Sequence, residues 1–271
     1  MVTLPMKRAI ALLPILGLAV AAFAEPQVGR PAPDFTATDI FGKTIKLSDY
    51  KGKIVVLESY RKECVFCEMH YKNGAMQELQ KELTTNGVVW LVVDSPDVAH
   101  GSQWHGWPEP PDVRETPADA RRDWADQKMA VTDWIIDWDG SHWGTKIGRR
   151  YAMKTTPEAF VIDTNGVLAY QGAIDNFQNV FSANPGAIAI DQGAINNFNN
   201  KIHQEMLVTY RNSSRMPVAM PLDPRERAAL SWDSRKARNY VREAVLALLA
   251  GKPVAVPETK PYGCGLGHIY Y

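Results

Sequence analysis

An α/β fold built around a central sheet is predicted by three features of this 271-residue chain. Residues 53–60, 64–86 and 88–93 read as strand, helix, strand. Residues 159–163 and 167–170 flank Thr164-Asn165-Gly166 as a β-hairpin. Residues 235–250 form an amphipathic helix that stops at Gly251-Lys252-Pro253. A strand–helix–strand unit of this length requires a parallel pair, whereas the hairpin adds an antiparallel one.

Composition agrees with a packed domain. Hydrophobic residues make up 45% and charged residues 22%, too apolar for disorder. The 30 Lys+Arg balance 30 Asp+Glu, so no basic excess exists to neutralise nucleic-acid phosphates. Three cysteines are too few for a disulfide-stapled scaffold, and each is read individually.

The first 24 residues read as a secretory signal peptide. Lys7 and Arg8 precede an apolar run over 9–23, and Ala22-Phe23-Ala24 offers a small-x-small cleavage site. The run is shorter than the ~20 residues that span a bilayer. The expectation is therefore an exported protein, periplasmic or extracellular, with no stable membrane span once the signal is removed.

From there the elements follow in order. Residues 28–50 are a loop-rich lead-in with a Phe41-Gly42-Lys43 turn. Ile54-Val55-Val56-Leu57 is a continuous apolar run, as expected of a strand buried on both faces. Met69, Met76, Leu79 and Leu83 recur at roughly helical spacing over 64–86, and Asn86-Gly87 stops that helix. Residues 94–117 are rich in Pro, Trp and His and read as an insertion. A helix is expected over 118–130, a short strand over 131–136, a turn at Asp139-Gly140 and a further helix over 142–151. Residues 176–234 form a long polar insertion with some helix, and the tail over 251–271 has no periodicity. The expected organisation is a signal peptide (1–24), a main α/β domain (25–175 plus 235–250), the insertion (176–234) and the tail (251–271).

Cys64-Val65-Phe66-Cys67 carries the chemistry. It follows a buried strand and opens a helix, where backbone N–H groups and the helix dipole stabilise a thiolate. Arg61 and Lys62 add positive charge, and Glu63 opposes it. Two intervening residues place both sulfurs on one helical turn, where a disulfide can close. Cys64 is expected to be the exposed nucleophile and Cys67 the more buried resolving thiol. A structural disulfide or half a zinc site are the other readings of such a pair, while Glu68 rules out a c-type haem attachment site.

Taken together, these features resemble a thioredoxin-fold redoxin of the alkyl hydroperoxide reductase/thiol-specific antioxidant superfamily. The resemblance rests on the strand, the Cys-x-x-Cys and its helix. It extends to the lead-in Val28-Gly29-Arg30-Pro31-Ala32-Pro33-Asp34-Phe35, to Leu47-Ser48-Asp49-Tyr50-Lys51-Gly52-Lys53, and to Tyr151-Ala152-Met153-Lys154-Thr155-Thr156-Pro157 before the hairpin. It implies a thioredoxin fold, a central mixed sheet flanked by helices, here with insertions. It also implies a cis Pro157 facing the cysteine pair. Thr156 would then pair with an extended partner like an added strand, and Phe66 would join it in contacting that partner. Glu58 matches the family's acid six residues before the first cysteine. Buried in an apolar strand, its pKa should rise, suiting it to exchange a proton with Cys67. Two departures stand out. Glu63 replaces the thioredoxin Trp, with Val65-Phe66 in place of Gly-Pro, and Tyr60-Arg61-Lys62-Glu63 lacks the Pro and Thr of the peroxide-reducing motif.

The resulting expectation is an enzyme that exchanges disulfides with protein partners and is restored by a reducing partner protein. No cofactor or metal is counted into the site. Thiol-dependent peroxide reduction is one alternative. A copper- or metal-binding redoxin without turnover is another, because Cys64, Cys67, Met69 and His70 offer soft sulfur and imidazole. Cys264, in the tail, is a candidate extra resolving thiol. Trp104, His105 and Trp107 could cover the site.

Overall fold

The computed structural model describes residues 25–62, 64–95, 116–137, 146–209 and 222–266, with only the backbone described over 202–209. The expected signal peptide, Glu63, the turn at Asp139-Gly140, the first part of the 142–151 helix and the Trp104–Trp107 cover lie outside those residues.

Five strands form the central sheet: β3 (Val55–Tyr60), β4 (Val89–Asp94), β5 (Asp133–Ile136), β7 (Glu158–Ile162) and β8 (Leu168–Gly172). Their order is β5-β4-β3-β7-β8. β5, β4 and β3 are parallel, and β7 and β8 run antiparallel to their neighbours. A short hairpin of β1 (Thr36–Thr38) and β2 (Thr44–Lys46) precedes the sheet, turning at the expected 41–43. Asn165-Gly166 makes the β7–β8 turn, with Gly166 at φ +81°, a left-handed conformation that glycine adopts without a Cβ clash.

β3 sits in the middle of the sheet and is buried along its whole length, which explains its unbroken apolar reading. Its residues alternate between two packed layers. Val56 and Tyr60 join Trp90, Val92 and Val161 in the layer beneath α1 (Val65–Tyr71), α2 (Ala75–Thr85) and α8 (Tyr240–Leu249). Val55 and Leu57 pack on the opposite face with Phe35, Ile45, Leu47 and Tyr151. Glu58 points to the α1–α2 side, the layer that also holds the cysteines. This mixed, doubly covered sheet is a thioredoxin fold.

Several expectations are corrected. The helix expected over 64–86 is two helices. α1 ends at Tyr71, and Gly74, at φ +83°, starts α2 with the Asn73 side chain accepting from Ala75 N. The helix expected over 235–250 begins at Tyr240, because Asn239 caps it by accepting from Arg242 N, and Ser234–Lys236 is a separate 3-10 turn. α3 (Pro117–Asp126) ends earlier than expected, and its start is closed by reciprocal Thr116–Asp119 hydrogen bonds. α4 (Ile147–Arg150) is capped by the Asp137 carboxylate. The tail read as aperiodic contains β9 (Cys264–Gly265), which pairs antiparallel with β6 (Thr155–Thr156). Within 176–234 lie α5 (Phe177–Ala183), α6 (Gln192–Thr209) and α7 (Pro224–Ser231). α7 packs directly on α1 and α6, so the insertion shares the core that contains Cys64 and Phe66. Among the described residues, no helix is long and apolar enough to cross a membrane.

Candidate active site

Cys64 lies at the junction between β3 and α1, in extended conformation, with its carbonyl accepting from Glu68 N. Cys67 is one turn further along. Both are fully buried, and all three cysteines are free thiols. The expectation of an exposed Cys64 does not hold, because the tail covers it. Cys64 Sγ lies 2.9 Å from the Thr156 carbonyl oxygen and 2.9 Å from Cys264 Sγ. The Thr156–Pro157 peptide is cis. Cys64, Cys67, Thr156, Pro157 and Cys264 are thus brought to one place.

Around these sulfurs the electrostatics are asymmetric. Burial works against a Cys64 thiolate, but hydrogen bonds from Cys264 and Cys67 and the Arg61 charge outweigh it, holding the Cys64 pKa well below the usual thiol value. The Thr156 side chain adds to this, and its hydroxyl is buried with no partner among the described residues, free to donate to a thiolate. Burial, the hydrogen bond to Cys64 and its charge push Cys67 the other way, well above normal. Arg61 is the cation that acts here, since Lys62 is paired with Asp123 at 2.8 Å.

Beneath the pair lies Glu58, fully buried. Tyr71 Oη and Trp90 Nε1 each donate to it at 2.8 Å, and Gln80 Nε2 at 3.3 Å. Burial raises its pKa to about 7 even though all three hydrogen bonds favour the carboxylate. Its charge in turn raises the Cys67 pKa. Ser59 ties the strand to the proline loop, donating to the Thr155 carbonyl at 2.7 Å and accepting from Glu158 N at 2.7 Å.

Phe66 is buried beneath the tail and the insertion. Its ring meets those of Tyr262 and Phe177, and the Arg225 guanidinium lies 4.8 Å above it. His70 Nε2 lies 3.2 Å from the Tyr262 hydroxyl. No cluster of three or more His, Cys, Asp or Glu side chains suited to a metal occurs among the described residues.

A thiolate-stabilising Cys-x-x-Cys, a cis-proline loop and a buried acid lie together on one thioredoxin-type sheet. The model of the AhpC/TSA family matches residues 28–171. The chain belongs to the AhpC/TSA family. Its members are thiol redox enzymes, acting as thiol–disulfide oxidoreductases or peroxidases. No curated protein matches the chain. Among solved structures, a hypothetical protein from Sinorhizobium meliloti 1021 aligns with TM-score 0.54 at 16% identity, covering 90% of this chain and 95% of its own. An uncharacterized conserved protein from Geobacillus kaustophilus aligns with TM-score 0.52 at 16% identity, covering 89% and 91%. A thiol:disulfide interchange protein of the thioredoxin family from Chlorobium tepidum TLS covers 55% of this chain and 87% of its own, with TM-score 0.38 and 16% identity.

Sequence reasoning missed part of this AhpC/TSA site. Tyr71, Gln80 and Trp90 surround Glu58, and a Trp in a buried strand needs an acceptor for its N–H, which was a usable signal. Asp175 was also missed. It accepts from Trp232 Nε1, Phe177 N and Tyr262 Oη, joining the insertion, α5 and the tail. The glycines flanking Cys264 were the signal for close backbone approach.

Proposed function

We propose that this AhpC/TSA protein is an exported thiol–disulfide oxidoreductase acting on protein disulfides. The supporting observation is the opposed pKa shift of Cys64 and Cys67 on one helical turn, beside a backbone edge that can accept an added strand. The Cys64 thiolate attacks one sulfur of the partner disulfide. The partner's S–S bond breaks, its other sulfur leaves as a thiolate, and a mixed disulfide forms on Cys64. Glu58 takes the Cys67 proton, the Cys67 thiolate attacks Cys64 Sγ, and the second partner sulfur leaves. The partner has gained two electrons and the enzyme holds a Cys64–Cys67 disulfide, which a reducing partner protein reopens. Thr156 and Pro157 form the docking edge, and Phe66 lines it when the tail is displaced.

The test follows turnover of a disulfide-containing protein by the full chain and its variants. Cys64→Ser abolishes it. The double variant Cys67→Ser/Cys264→Ser stalls as a mixed disulfide that gel electrophoresis without reductant resolves. Unchanged turnover in Cys64→Ser would remove the reading. Peroxide reduction is the second reading, favoured by a third thiol standing 2.9 Å from Cys64 Sγ, where it could resolve a sulfenic acid.

A further inference from the structure

We propose that the C-terminal strand is a tethered substrate. Cys264 exchanges disulfides with Cys64, and the tail must leave the groove before a partner protein can dock. The inference rests on the disulfide-exchange reading above and names how that site is regulated.

The tail occupies the docking edge as an incoming strand would. Cys264 pairs with Thr156 and Gly265 with Thr155, and Leu266 N continues the ladder to the Lys154 carbonyl at 3.0 Å. Residues on either side fix the position of the sulfur. Tyr262 is buried between Phe66 and Phe177, and its hydroxyl donates to Asp175. Leu266 is buried in the layer on the other face of the sheet. Between them, Gly263 adopts φ +152°, and a Cβ there would stand 2.0 Å from the Thr156 carbonyl oxygen. Only glycine lets the tail backbone approach this closely. The result is a 2.9 Å separation of the Cys264 and Cys64 sulfurs, against about 2.05 Å in a disulfide. Closing the bond needs less than an ångström of motion.

The exchange balances without any further reagent. After a partner disulfide has oxidised the pair, Cys264 loses its proton and its thiolate attacks Cys64 Sγ. The Cys64–Cys67 bond breaks, the Cys64–Cys264 bond forms, and Cys67 leaves as a thiolate that takes up the proton. No net electrons move. In the reduced enzyme the hydrogen bond to Cys64, burial and the Cys64 charge hold the Cys264 thiol protonated. Oxidation of Cys64 removes that hydrogen bond and that charge and leaves burial opposed by Arg61, so the tail thiol gives up its proton more readily when the pair is oxidised. A Cys64–Cys264 disulfide locks the strand in the groove, and attack by Cys67 releases it.

The experiment oxidises the reduced full chain with limiting glutathione disulfide, quenches it with an alkylating agent and maps disulfides by mass spectrometry without reduction. Cys67→Ser is expected to form an intramolecular Cys64–Cys264 bond, and wild type both Cys64–Cys67 and Cys64–Cys264. Glutathione retained on Cys64 with Cys264 alkylated, in Cys67→Ser, would overturn the proposal. Cys264→Ser reads the underlying function separately. If it fails to form Cys64–Cys67, the exchange reading fails whatever the tail does. Gly263→Ala is expected to evict the strand, abolishing the Cys64–Cys264 bond and raising the Cys64 alkylation rate roughly tenfold or more, as for a site opened from a protected state. An unchanged rate with the bond still forming would show that the strand pairing does not position Cys264.

Discussion

At Glu58 two opposing effects can be compared directly. Three hydrogen bonds favour the carboxylate, yet burial wins and lifts the pKa from 4.5 to about 7. Glu158, next to Pro157, is raised to about 7 by burial in the same way, against donation from Lys154 N and Thr155 N. Between the unfolded and folded values the native state holds protons that the unfolded chain has released. Stability from each group is therefore full below the unfolded pKa and is lost as pH rises through about 7. A shift of this size corresponds to about 3 kcal/mol per group. The unfolding free energy should fall between about pH 5 and about pH 8, and Glu58→Gln should show roughly half that fall. An identical fall in the variant would place the raised pKa elsewhere. The same substitution should flatten the pH dependence of mixed-disulfide resolution near neutrality, which a purely structural Glu58 would leave unchanged. Glu58 itself was legible as an acid in an apolar strand. Its Tyr71, Gln80 and Trp90 partners were not, because they come from two other elements that only the fold brings together.

At the level of elements, the β8 edge and the tail meet without room for side chains. Gly172 has φ +135°, and a Cβ there would stand 2.2 Å from the Thr259 carbonyl oxygen. Gly166, at φ +81°, faces open space. Gly166→Ala should therefore cost only the left-handed conformation, about 1 kcal/mol. Gly172→Ala must also push the tail away, and should cost more than about 2 kcal/mol. Urea midpoints of the two variants check this ordering, and equal costs would contradict it. Elements with strong local signals were legible in the sequence, namely β3, β4 and the Asn165-Gly166 hairpin. The break between α1 and α2 was not, because Met69, Met76, Leu79 and Leu83 keep helical spacing across Gly74. β9 was missed for a different reason. Its two residues carry no alternation, and the strand exists only because β6 offers it an edge.

In the whole molecule, Asp175 ties the insertion to the tail. One carboxylate satisfies buried donors from Trp232, Phe177 and Tyr262, and each donor left unpaired costs about 1–3 kcal/mol. Asp175→Ala should lower stability by several kcal/mol by that reckoning. It should also speed hydrogen exchange in 224–232 and 259–266 together, whereas acceleration in only one segment would show that the two are held independently. The insertion, read from sequence as polar with some helix, covers the redox helix because α7 supplies Ala228, Ala229 and Leu230 to the core around Cys64. The central claim, that Cys64 and Cys67 exchange disulfides with proteins, is tested most directly by a competition. The reduced full chain is mixed with a disulfide-containing protein and hydrogen peroxide at equal concentration, and Cys64–Cys67 formation is timed against release of the substrate's thiols. The account expects substrate thiols to appear in step with the enzyme disulfide. Enzyme oxidation that outruns thiol release and follows peroxide concentration would contradict it and establish a peroxidase.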